Sequence, residues 1–237
     1  MTFRQKLTDF LLDLGCVIQI TQHFILTYNI YFCIFYVNMK TIAEKTEKLI
    51  SFAPEVGGVF SLMELSSLFN IADSQKLWKT IRLFEDAGLL SRYSRGIYTA
   101  KEFDPQILFA KVRGDSYISL GSALAAHRLI GTESPKLVTG LVPAKAKEYG
   151  GIVNLSYSRI SQDLFFGFGI TDKGIRMADP EKAVLDTLYF YLRGKKYHFN
   201  VFQDIQFSIL SKKKIEVYLK SFKNPKFQTF ARGVING

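Results

Sequence analysis

The side chains between Ser74 and Arg82 are of the types that read DNA. Ser74, Gln75, Lys76, Lys79, Thr80 and Arg82 carry hydroxyl, amide and cationic groups, which reach base edges and phosphates in a major groove. Arg92, Tyr93 and Arg95 follow after a short gap. From Asp73 to Lys101 the six bases Lys76, Lys79, Arg82, Arg92, Arg95 and Lys101 face only three acids, Asp73, Glu85 and Asp86. The opposing reading is a solvated helix face, the usual meaning of scattered charge, or a fold of this kind used for protein contact. A second basic segment lies at the end of the chain. Between Arg193 and Gly237 there are ten Lys and Arg residues against Asp204 and Glu216. Lys195, Lys196, Lys212, Lys213 and Lys214 are its candidates for secondary contact with nucleic acid or an acidic partner.

Residues suited to catalysis are sparse. The three histidines are His23, His127 and His198, and they form no metal motif with neighbouring glutamates. His127 reads as packed or surface-exposed. Asp163, Asp172, Asp179 and Glu181 could be drawn into a metal-dependent nuclease, but their spacing fits no template. Asp179 and Glu181 already serve a helix start. No phosphate-cradling glycine loop appears. The expectation is a protein that is not an enzyme, with no catalytic residue, no metal site and no cofactor; a nuclease is the lesser alternative.

The elements around the DNA-reading residues follow from local pattern. A first helix, KTIAEKTEKLISFA, places Ile42, Leu49, Ile50 and Phe52 near one face and ends at Pro54 and Gly57-Gly58. Val59-Phe60 reads as a short strand. Ser61 with Glu64 gives a capping-box pattern for a helix over 62–69, with Leu62, Leu65, Leu68 and Phe69 inward. Asn70-Ile71-Ala72 turns the chain, and Asp73 or Ser74 caps a third helix that Gly88 terminates. Leu77, Ile81 and Phe84 recur at i, i+4, i+7 as its buried stripe, and Trp78 is assigned to the core. LLSRYSRGIYTA then forms a hairpin with its turn at Ser94-Arg95-Gly96. This order predicts a winged helix-turn-helix over residues 39–104 that binds double-stranded DNA.

Asp104-Pro105 reads as a linker to a second domain over 105–237. There the pattern predicts a helix over 118–130 with Ser119 at its cap, and strands over 136–142, 152–160, 164–170 and 174–177. Asp179 and Pro180 start a further helix, and 212–222 forms the last. The fold class is α+β: an N-terminal winged helix-turn-helix, then a mixed domain with a small, mainly antiparallel sheet.

Residues 1–38 do not match the rest. From Leu14 to Met39 no residue is charged. Three readings compete: a membrane span, a signal peptide without a cleavage site, or translated leader ahead of a start at Met39. The last is preferred because a normal amphipathic helix follows Met39 directly. Across the chain's 237 residues hydrophobic types make up 48% and charged types 22%, with net charge +10. That suits an ordinary globular protein with a polyanionic partner. The two cysteines, Cys16 and Cys33, both lie in the odd stretch. A disulfide framework or cysteine zinc site in the body is therefore excluded, which fits a cytoplasmic protein.

The segments SRGIYTAKEFDP, YISLGSALAAHRLIG and RMADPEKAVLDTLYF, in this order behind the DNA-reading region, resemble the AbiEi family. Its members are antitoxins and transcriptional regulators of bacterial type IV toxin–antitoxin, or abortive-infection, systems. The resemblance covers about Lys40 to Leu192. It implies a cytoplasmic repressor of its own operon promoter, whose C-terminal part counteracts a nucleotidyltransferase toxin without needing a stable complex with it. The alternatives are a stand-alone regulator without an antitoxin role and a membrane-tethered regulator. Operator sequence and oligomeric state are not legible.

Overall fold

The computed structural model describes residues 41–236. Residues 1–38, expected to be leader, and the candidate membrane span Leu14–Met39 lie outside them. Among the described residues no helix is long and apolar enough to cross a membrane. The chain divides into two compact units, the second beginning at Ala53. Of the first unit only a helix over 41–52 (α1) is described. Leu49 is buried in it, but Ile42 and Ile50 are exposed, so the apolar face expected from spacing is only partly used.

The second unit is mixed α+β. It begins with β1 (Val59–Ser61), α2 (Leu62–Phe69) and α3 (Ser74–Asp86), then β2 (Ser91–Ser94) and β3 (Ile97–Thr99). These strands form a three-stranded antiparallel sheet in the order β1-β3-β2. The chain enters β1 through Gly58, at φ +68°. A Cβ there would sit 2.1 Å from the Glu102 carbonyl oxygen, so only glycine lets these segments approach.

Asp104-Pro105 is not a linker. Asp104 caps α4 (Pro105–Val112), accepting from the backbone N–H groups of Gln106 and Ile107. Proline stands at the first helical position, where its missing N–H costs nothing. Helix α4 packs on β1 and β3 and also on β4 (Tyr117–Ile118) and β5 (Leu137–Val142). It thus joins the small sheet to the large one, and one apolar core runs from Val59 to Ile235.

The large sheet has six strands in the order β6-β7-β5-β4-β9-β8, with β6 at Lys147–Tyr149, β7 at Asn154–Arg159, β8 at Phe168–Ile170 and β9 at Arg176–Ala178. It is mixed rather than mainly antiparallel, because its longest ladder, β5 with β7, is parallel, as is β4 with β9. Gly140 in β5 permits close packing: a Cβ would lie 2.3 Å from the Tyr117 carbonyl oxygen and 2.4 Å from the Phe109 ring. Phe109 in turn stacks on Tyr157 at 4.3 Å between centroids.

The helix expected over 118–130 is shorter. Ile118 belongs to β4, and α5 spans Leu120–Ala126. Ser119 makes no capping bond; its hydroxyl donates instead to Asp186 at 2.9 Å. Helix α6 (Pro180–Tyr191) packs against α5, α7 (Lys212–Leu219) and α8 (Pro225–Asn236), so α7 is not the last helix.

Lys182 and Asp186, one turn apart on α6, are both fully buried and form an ion pair. Tyr117 donates to Asp186 at 3.0 Å, and the ammonium also reaches the Tyr117 oxygen at 3.0 Å. Rings of Tyr117, Phe166 and Phe222 surround the lysine. Burial pushes the Asp186 carboxyl up, against the Lys182 charge and three side-chain hydrogen bonds that pull it down. Removing one partner strands the other charge without water. Asp186→Ala is therefore expected to cost about 3–5 kcal/mol. The double variant Lys182→Met/Asp186→Leu should cost clearly less than the sum of its single changes. Urea unfolding monitored by circular dichroism checks this; additive costs would show that the pair is not coupled.

Candidate nucleic-acid interface

Helix α3 is held at both ends by its own sequence. The Asp73 carboxylate accepts from the Lys76 backbone N–H at 2.8 Å, and Gly88 leaves the helix at φ +68°. Leu77, Ile81 and Phe84 are buried as expected. The 100° advance per residue therefore directs Gln75, Lys79 and Arg82 to the opposite face, and all three are exposed. Lys76 is exposed on the adjoining flank and Ser74 in the first turn. Thr80 departs from the expectation: its hydroxyl donates back to the Lys76 carbonyl at 3.0 Å and it is half-buried.

Trp78 is not a core residue. It is 42% exposed, on the flank nearest the β2–β3 hairpin, with the Arg92 guanidinium 6.0 Å from its ring centroid. The contact bridges α3 and the hairpin. Arg95 is exposed in the turn, where Gly96 adopts φ +77°.

Tyr93 serves a different end from the one its position implied. The register of β2 slips between Arg92 and Ser94, and the Tyr93 hydroxyl donates to the Val153 carbonyl at 2.8 Å. Its ring would lie 3.1 Å from a Cβ at Gly151. Burial, with Tyr149 beside it, pushes its phenol up to about 12. It anchors the hairpin to the large-sheet region and is not free to meet DNA.

Among the described residues, Lys76, Lys79, Arg82, Arg92 and Arg95 take part in no ion pair and stand together on α3 and the hairpin, while several cations elsewhere in the unit are paired. Lys111 bridges Glu64 at 2.7 Å and the Val59 carbonyl at 2.7 Å. Lys173 meets Asp104, Lys223 meets Asp163, and Arg232 meets Glu216. These pairings also disperse the imagined nuclease cluster. Asp163 is spent on Lys223, while Asp179 and Glu181 share Lys214. Among the described residues no group of three or more His, Cys, Asp or Glu could hold a metal. His127 donates from Nε2 to the Ala178 carbonyl, 2.7 Å away.

The C-terminal lysines do not form one surface. Lys214 docks on Asp179 at the start of α6, with Lys212 and Lys213 exposed beside it. Lys195 and Lys196 lie just beyond the other end of that helix, whose 12 residues span about 18 Å. Lys195 is half-buried, its ammonium donating to the Ser158 hydroxyl at 2.9 Å, and burial pulls its pKa down despite Glu148 nearby.

No family model matches the chain, and no curated protein matches it. Among solved structures, the crystal structure of the RV2827C protein from Mycobacterium tuberculosis is similar, with a TM-score of 0.56 at 12% sequence identity, over 79% of this chain and 74% of that one. At such identity the likeness concerns the fold alone.

The node that sets α2, and through the turn α3, is Glu64. Ser61 and Glu64 cap each other, the hydroxyl and backbone N–H of Ser61 both donating to the carboxylate. Burial alone would push the Glu64 carboxyl up, but Lys111 and the Ser61 bonds together hold it below its ordinary 4.5. A depressed carboxylate stabilises the fold fully above its unfolded value and loses that contribution as pH falls through the folded one. Lys111→Met is thus expected to lower the urea midpoint at about pH 6 and to flatten its decline toward about pH 3. An unaltered pH profile in the variant would show that Lys111 does not hold the carboxylate.

Proposed function

We propose that residues 39–104 form a winged helix-turn-helix module that binds double-stranded DNA, with α3 as the recognition helix and the β2–β3 hairpin as the wing. The observation that carries this reading is the set of five cations without an ion-pair partner on α3 and the hairpin. Five such cations gathered on two adjoining elements make a positive strip that suits an external polyanion. The polar groups support the same arrangement. Gln75, Lys76 and Lys79 occupy the N-terminal half of α3, the part that meets base edges when such a helix enters a groove. Asp86 and Glu85 are confined to its far end, and Arg92 and Arg95 extend the cationic strip onto the hairpin. In this arrangement Gln75, Lys79 and Arg82 address bases or phosphates, while Lys76, Arg92 and Arg95 hold backbone.

We further propose, on the three segments that resemble the AbiEi family, that the protein is a cytoplasmic autorepressor and antitoxin. DNA binding then serves repression of its own promoter, and the remainder of the chain counteracts a nucleotidyltransferase toxin. The like-fold RV2827C structure adds no functional support.

Duplex binding should follow the number of phosphates neutralised. Lys79→Ala and Arg95→Ala should each reduce the slope of log affinity against log salt by roughly 0.9 for every phosphate the variant leaves bare. Gln75→Ala should instead relax base preference by about 1–3 kcal/mol at one position if it makes a bidentate base contact. Trp78 is the chain's one tryptophan and lies between helix and hairpin, so its fluorescence should change on adding operator duplex. Promoter binding unaffected by changes at both Lys79 and Arg95 would remove the reading. For the antitoxin role, co-expression with the product of an adjacent nucleotidyltransferase gene should restore growth, and the rescue should survive Lys79→Ala. Continued toxicity would leave a stand-alone regulator.

A further inference from the structure

Three adjoining cavities lie near the C-terminal end of α6. The first, about 530 Å³, is walled by Tyr189, Phe222, Phe227 and Phe230 and rimmed by Arg193 and Lys226. It shares Leu192 with a second of about 800 Å³, which runs past Tyr191, Lys196 and Phe202. That one shares Lys195, Lys196, Tyr197 and His198 with a third of about 460 Å³. Through these shared residues they make a groove lined by both rings and cations.

The rings in this groove are unusual for a surface. Tyr191 is 38% exposed and Phe202 46% exposed. They meet edge to face at 5.3 Å, and Tyr191 lies parallel to Phe230 at 6.4 Å. Arg193 is flattened on Tyr189, its guanidinium 4.2 Å from the ring centroid. Among the described residues, Arg193, Lys196 and Lys226 have no ion-pair partner. The carboxylates of the groove are mostly committed, Asp163 to Lys223 and Glu133 to His198.

We propose that this groove binds single-stranded nucleic acid. A ligand that fits must offer flat π faces to the rings and anionic groups to the cations. A single strand does this, base by phosphate. A lipid chain or an apolar protein face would strand the cations. A duplex keeps its bases stacked inside and cannot present them to rings set in a concave wall. Tyr191 and Phe202 are the stacking platform, and Arg193, Lys196 and Lys226 track the phosphates. None of these five residues lies on α3 or the hairpin, and the proposal does not rest on duplex binding there.

The test uses the full chain and a fluorescein-labelled oligouridylate of about 12 nucleotides, within the length such sites cover. Anisotropy should show salt-dependent binding at low micromolar protein. Tyr191→Ala and Phe202→Ala, both at exposed rings, should each weaken it roughly 5- to 150-fold, the effect of removing one stacked base. Tyr191→Phe should retain it. Lys79→Ala should leave it unchanged, and Trp78 fluorescence should not respond to the strand. Absence of binding would overturn the proposal. So would binding that survives both ring substitutions, or equal competition by polyglutamate, since either means that charge alone attracts the strand.

Discussion

A charged lysine with no exposed surface needs an anion beside it, and Lys182 imposes that condition on the centre of this protein. Its partner Asp186 is equally buried and is shared among Lys182, Tyr117 and Ser119. These groups come from different elements. Tyr117 lies on β4, Ser119 at the entry to α5, and the pair itself on α6. The cost of burying two charges is offset only if every remaining hydrogen-bonding position is filled, so β4 and the start of α5 must sit where they do. Leu120 shows the effect on the backbone: it is buried and held at φ 58°, a left-handed conformation that a branched side chain does not adopt freely. With α6 fixed this way, its two ends become mounting points. The first end binds α7 through Asp179, which accepts from Lys214 at 2.9 Å and from the Tyr218 hydroxyl at 2.6 Å. The other opens into the ring-and-cation groove.

The small sheet is coupled to this centre by polar contacts at separate points. Lys111 of α4 reaches the Val59 carbonyl and Glu64 together, and Tyr93 of the hairpin reaches the Val153 carbonyl. Between them, α2 and the hairpin are each pinned on one side, which leaves the outward face of α3 clear. The exposed side chains of α3 are thus carried by elements that are themselves held in place.

Much of this was legible where the determinants are local. Ser61 and Glu64, three residues apart, announce the capping box, and the 62–69 boundaries follow. The i, i+4, i+7 stripe of α3 is likewise contained in one segment. The failures have a common cause. Asp104-Pro105 and Asp179-Pro180 are the same dipeptide at the same place ahead of a helix, yet only the second reads as a helix start, because a long apolar run follows it. The two-residue β4 and the parallel β5–β7 ladder depend on partners far along the chain. Lys182 and Asp186 have the spacing of an ordinary surface i, i+4 pair; their sequence does not reveal that Tyr117 and Ser119 close over them. Trp78 misleads in the other direction, since its size argues for burial, while its place on α3, about 100° from the buried stripe, leaves it against Arg92.

Charge counted along the chain and charge available on the surface are different quantities. The C-terminal 45 residues look like one cationic patch, but α6 separates Lys214 from Lys195 by its whole length, and acids neutralise Lys214, Lys223 and Arg232. Two groups of cations without ion-pair partners stand on separate parts of the unit, one on α3 and the hairpin and one beyond α6. On α3 and the hairpin they stand on an exposed strip beside Ser74 and Gln75. Beyond α6 they line a concave wall set with rings, a form that admits something thin and flat. The net charge of +10 attracts any polyanion to both. Under the two proposals, shape and the neighbouring uncharged groups would distinguish the surfaces, because the long-range attraction is the same for a duplex and for a strand, whereas stacking requires bases that are free to leave their neighbours.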